Sequence, residues 1–162
     1  MNADKMFRDY KTMKKELSVL ASQLSHFTGI SEEDFIESMS LSHPEGDERV
    51  QTSNLSDKTA KVAMNFRQVL KKQNDEWYNF LLNRYMVLGD EINFFEAGIK
   101  QLGDKKADIL FELLDGDLTW DSIAQQYNIS RALVGVYRKN AIIELDKRYE
   151  IREQQEIAYM LS

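Results

Sequence analysis

Apolar residues recur every three or four positions along most of this chain. Between residues 3 and 27 the positions Met6, Tyr10, Met13, Leu17, Leu20 (or Ala21), Leu24 and Phe27 keep that step, as one buried face of a helix should. Gly29 ends this helix. Ser31 then caps a short second helix through about residue 41, with Asp34 as a capping-box partner and Phe35, Ile36 and Met39 turned inward. Residues 42–54 (SHPEGDERVQTSN) are polar, contain Pro44, and read as a linker.

The helical pattern restarts at residue 56 and continues to residue 102. Trp77, Leu81, Arg84, Leu88, Ile92, Phe95, Ile99 and Leu102 keep a near-heptad spacing, interrupted at Arg84 and weakened at Gly89. A helix this long needs a partner, and two stand open: antiparallel pairing with the first helix, or a coiled-coil dimer seam. Gly103 closes it. The next helix, 105–114, turns Ala107, Ile109 (or Leu110), Leu113 and Leu114 inward, and Asp115-Gly116 marks a turn.

The chain thus divides into an N-terminal helical segment (1–41), a linker (42–55), a long helix suited to self-association (56–103) and a C-terminal domain (104–162). The expected fold class is all-α. Composition agrees: among 162 residues there is one proline, 43% are hydrophobic and 30% charged, a balance that favours helices throughout. The chain has no cysteine, which excludes disulfides and cysteine zinc sites and suits a reducing compartment. Neither a signal-peptide core nor an apolar run of membrane-spanning length is visible in the sequence, so the expected location is cytoplasmic.

A net charge of −6 argues against non-specific coating of nucleic acid. Local charge matters more at a docking surface, because salt screens beyond about 10 Å. Residues 128–143 carry Arg131, Arg138 and Lys139 and no acid, whereas Asp104, Asp108, Glu112, Asp115, Asp117 and Asp121 precede them.

From residue 119 the sequence reads TWDSIAQQYNISRALVGVYRKNAIIEL. Thr119 is a good N-cap for a helix over 120–127. Ala124 is small where two helices must cross. Asn128 stands at a turn that needs left-handed backbone, where asparagine is second only to glycine. Ile129 plugs the turn, Ser130 caps the following helix, and Val134 and Tyr137 face inward. Together with Ile123 and Tyr127, these residues meet the steric needs of a helix-turn-helix over 119–145. A plain helical hairpin would share some of them but seldom all.

This segment resembles the region-4 helix-turn-helix of bacterial sigma factors, over about residues 105–147: LLDGDLTW, then the IAxxYxIS core, then a basic helix ending in AIIEL. More broadly, the layout, with LSDKTAKVAM after the linker, is similar to the ArpU/RinA-type regulators of phage late and packaging genes. The resemblance implies a transcription regulator, a late-gene activator in a phage or prophage, that docks double-stranded promoter DNA. It also implies RNA polymerase as a further partner; the stripe from Trp77 to Leu102 would supply self-association, so a homodimer is the expected working form. The implied DNA-binding residues are Thr119, Ser130, Arg131, Ala132, Leu133, Gly135, Val136, Arg138 and Lys139. Ser130 and Arg131 match the family's roles at the start of the second helix. Ala132, Leu133, Gly135 and Val136 depart from it, standing where polar readers are usual, so readout there would be by apolar contact or close backbone approach. Arg138 and Lys139 would meet phosphates. Asn140 has an adenine reader's chemistry but stands late in the helix.

Two other classes compete: a small terminase-like packaging subunit, and an interaction module that has lost DNA binding. No enzyme, metal or cofactor is expected. His26 and His43 have no partner at ligand spacing, and no phosphate loop or nucleophile motif occurs. The aromatics Trp77, Tyr78, Phe80, Tyr85, Phe94 and Phe95 read as core or dimer contact. Lys5, Arg8, Lys11, Lys14 and Lys15 read as a solvated helix side that is also placed to touch DNA backbone.

Overall fold

The computed structural model describes the backbone of residues 2–41 and 55–162 and the side chains of 2–38 and 65–162. The linker at 42–54, with Pro44 and His43, and the burial expected of Met39 lie outside these residues. Among the described residues all regular structure is helical: α1 (Ala3–Ser25), α2 (Glu32–Leu41), α3 (Leu55–Lys100), α4 (Asp104–Asp115), α5 (Trp120–Gln126) and α6 (Arg131–Met160). No helix among them is long and apolar enough to cross a membrane.

Helix α1 ends two residues short of Phe27. His26 N–H still donates to the Ser22 carbonyl at 3.1 Å, and Gly29, at φ +73°, reverses the chain. In α2, Phe35 is buried as expected but Ile36 is 55% exposed. Ile36 lies about 100° round the helix from Phe35, and so short a helix buries only one side.

The chain forms two compact units, Leu20–Tyr85 and Met1–Val19 with Met86–Ser162. In the first unit, Phe27 packs edge-on against Trp77 and Tyr78 at centroid distances of 5.3 and 5.2 Å, and Phe35 meets Phe66 at 5.2 Å. Asn74 of α3 satisfies both backbone polar groups of Ile30, accepting its N–H at 2.7 Å and donating to its carbonyl at 3.3 Å.

In the second unit, Phe7 and Tyr10 of α1 pack on Phe95 of α3. Tyr10 Oη donates to Glu96 Oε1 at 2.6 Å, and Leu17 lies beside Gly89. The pairing is antiparallel within each unit. The α3 stripe positions Leu81, Leu88, Ile92, Phe95 and Ile99 are therefore buried inside one chain, while Trp77 of the same stripe is 42% exposed. The intramolecular alternative accounts for the buried positions.

Helix α6 continues past Leu145 without interruption to Met160. Its middle packs on α3, where Leu145 fills the space above Gly98. Arg152 bonds Glu91 at 2.8 Å and stacks over Phe94 at 4.3 Å. Beyond Arg152 the helix is exposed.

Candidate nucleic-acid interface

Helices α4, α5 and α6 enclose a small core of Ile109, Ile123, Ala124 and Val134, all buried. Leu113, Leu118, Tyr127, Ile129 and Tyr137 pack around it. The apolar plugs in the sequence thus converge on one point. Gly116, at φ +69°, ends α4 and donates its N–H to the Glu112 carbonyl at 3.2 Å.

Both caps form where the local chemistry places them. Thr119 Oγ1 accepts the Ser122 N–H at 3.2 Å at the start of α5. Ser130 Oγ accepts the Leu133 N–H at 3.1 Å at the start of α6. Between them, Asn128 is left-handed at φ 54°. Asn128 N–H donates to the Gln125 carbonyl at 3.3 Å, and Ile129 N–H to the Ala124 carbonyl at 2.9 Å. That pair of bonds is the Schellman closure, with asparagine in the position glycine usually takes. Ile129 supplies the apolar contact that accompanies it. The entry angle of α6 is therefore fixed by backbone bonds as well as by packing.

The partly buried Tyr127 hydroxyl is pushed above its ordinary range by burial and by the nearby Glu112 and Asp108 carboxylates. Lys106 lies over the Tyr137 ring at 5.6 Å. These contacts belong to the frame of the unit and leave the start of α6 open.

The nine site residues expected from the sequence separate into three groups. Arg131, Ala132, Val136 and Lys139 are exposed at the start of α6. With Ile143 they give an outward stripe at helical spacing, 132, 136, 139 and 143. Val136 and Ile143 are each 48% exposed. Thr119 and Ser130 sit at the two helix starts as their caps. Leu133, Gly135 and Arg138 are half-buried.

Two of these placements differ from the expected open face. Gly135 lies beneath the Trp120 ring, 3.4 Å from where a Cβ would stand; it serves the α5–α6 contact and is not bare backbone facing solvent. Arg138 is only 31% exposed and bonds Asp4 of α1 at 3.4 Å, while its guanidinium lies 5.4 Å from the Phe7 ring centre. Arg131 reaches Asp121 at 3.7 Å, with both side chains about two-thirds exposed.

Sequence reasoning missed the residues that hold this face: Trp120, Asp121, Asp4, Phe7 and Asp146. Asp146 Oδ1 accepts the Ala3 N–H at 2.7 Å, pinning α1 against α6. No local spacing announces contacts between residues this far apart in the chain. Among the described residues, no group of three His, Cys, Asp or Glu side chains is placed to hold a metal ion. Comparison with protein-family models, with curated proteins and with solved structures finds no match.

Proposed function

We propose that α4, α5 and α6 form a helix-turn-helix that docks on double-stranded DNA, with the first turns of α6 in the major groove, and that the protein regulates transcription. The observation carrying this reading is the closed turn at Asn128 and Ile129 leading into a Ser130-capped helix. It presents Arg131, Ala132, Val136 and Lys139 outward on a rigid frame. Arg131 takes a guanine edge or a phosphate, Lys139 a phosphate, and Ala132 and Val136 the methyl groups of thymines. The exposed pair of Arg131 with Asp121 is weak enough for a phosphate to displace. The resemblance to sigma factors and to ArpU/RinA-type regulators supports a late-gene regulator of a phage or prophage, with RNA polymerase as a second partner.

Specificity from one such face is modest, since only Arg131 among the exposed four carries a guanidinium fork. Selection of bound duplexes from a random pool, followed by a promoter-reporter assay with the enriched sequence, tests the proposal. Enrichment of a motif and a change in reporter output support it; recovery of no motif contradicts sequence-specific regulation.

A second reading has one observation in its favour. Trp120, Val136 and Ile143 each expose more than a third of their apolar surface, which suits docking of another protein. That reading predicts no duplex affinity that depends on Arg131 and Lys139.

A further inference from the structure

We propose that the first turn of α1 adds a second contact for the DNA backbone: Arg8 and Arg138 form a cradle for one phosphodiester, and the Asp4 carboxylate occupies the phosphate's place when DNA is absent. The inference rests on the duplex-docking reading of α5 and α6, and extends that interface to a helix outside it.

Two ion pairs carry it. Arg8 lies 3.5 Å from Asp4 Oδ2, and Arg138 lies 3.4 Å from Asp4 Oδ1. One carboxylate therefore holds two guanidiniums, one on each oxygen, and the cluster keeps an excess positive charge. A phosphodiester has the same charge as a carboxylate and likewise offers two terminal oxygens, which guanidinium groups recognise in the same way. The cluster is open to solvent, with Arg8 66% and Asp4 45% exposed. Exposed pairs at these distances are weak, so a backbone phosphate can replace Asp4. Phe7 beneath Arg138 holds that guanidinium whichever anion is bound.

The position of the cluster relative to the docking face follows from helical spacing. Residues 131, 135, 138, 142 and 146 step by fours and threes along one flank of α6. The start of α5 covers the upper part of that flank, through Asp121 against Arg131 and Trp120 against Gly135. The start of α1 covers the lower part, through Asp4 and Phe7 against Arg138 and Ala3 against Asp146. In a docked helix-turn-helix the flanking helix starts lie along the phosphate backbone. The first turn of α1 continues that edge. Exposed Lys139 stands beside Arg138 on the outward side.

The structure also separates Arg8 from its basic neighbours on α1. Lys11 is bound to the Asp115 carbonyl and to Asp117, and Lys14 to Glu96.

The test uses the full chain and a fluorescent random-sequence duplex, with anisotropy titrations across a salt series. Removing one phosphate contact lowers the slope of log affinity against log salt by about 0.9. Arg8→Gln should lower it by that amount, losing about threefold less affinity than wild type over a fourfold rise in salt. Asp4→Asn, which removes the competing anion, should bind several-fold tighter and with no shallower a slope. An unchanged slope in Arg8→Gln overturns the proposal, as does weaker binding by a folded Asp4→Asn. Arg8 is exposed enough that its variant folds, so it decides the matter even if Asp4→Asn does not fold. Binding that responds to Arg131→Ala and Lys139→Ala but not to Arg8→Gln rejects the cradle alone. Absence of duplex binding by wild type rejects both the cradle and the docking reading.

Discussion

Gly98 of α3 and Leu145 of α6 meet so closely that a Cβ on residue 98 would overlap the Leu145 side chain. The two helices cross there, with Arg148 also against the glycine: its Nε would lie 3.1 Å from the added Cβ. Gly98→Ala should therefore destabilise the protein by about 1–3 kcal/mol, the usual cost of overpacking. A lowered thermal midpoint with an intact helical signal is the expected result.

Gly89, also inside α3, should behave in the opposite way. A Cβ there would make an ordinary contact, 3.8 Å from Leu17 Cδ1. Gly89→Ala should stabilise by up to about 1 kcal/mol through the better helix propensity of alanine. Denaturant midpoints for the two variants, measured side by side, check the contrast.

Asn128 tests the turn. Its φ of 54° suits glycine better than any side chain, so Asn128→Gly should be neutral or slightly stabilising. Asn128→Val should cost about 1–3 kcal/mol, because a β-branched residue is strained there. Equal stability of the two variants would mean that the left-handed turn does not form.

The Tyr10–Glu96 pair gives stability a signature at both ends of the pH scale. Burial alone would raise the Glu96 carboxyl, but hydrogen bonds from Tyr10 and Lys14 outweigh it and hold the carboxyl below its ordinary range. Its contribution is present above the unfolded value, about pH 4.3, and is lost as pH falls through the folded one. The Tyr10 hydroxyl is pushed up, chiefly by burial and then by its bond to Glu96; Tyr149 is pushed up by burial and by the Glu91 charge. For both tyrosines the stability is present below about pH 10 and is lost as pH rises towards the folded values. Equilibrium unfolding of wild type and Glu96→Gln across pH checks this. The gap between them should shrink on the acid side.

These cases also separate what the sequence made legible from what it hid. Thr119, Asn128 and Ser130 were readable because caps and tight turns are decided by residues within a few positions. The extent of α3 was readable from its long apolar repeat, but its partner was not, since the same stripe suits α1 or a second chain. Ile36 was misplaced because a single short helix carries too few periods to fix its buried side. The contacts of Gly98 with Leu145, Gly135 with Trp120 and Arg138 with Asp4 join distant parts of the chain, and no local pattern encodes them. At the start of α6 the outward placement of Arg131, Ala132, Val136 and Lys139 was legible; the packing that half-buries Gly135 and Arg138 was not.

The most direct test of the docking account is the affinity of wild type, Arg131→Ala and Lys139→Ala for duplex DNA over a range of salt. The account predicts that Lys139→Ala weakens binding to all sequences alike and lowers the salt slope by about 1. Arg131→Ala should cost about 1–3 kcal/mol on the preferred sequence if it reads a guanine, or act as Lys139→Ala does if it holds phosphate. Unchanged affinity and slope in both folded variants would contradict it.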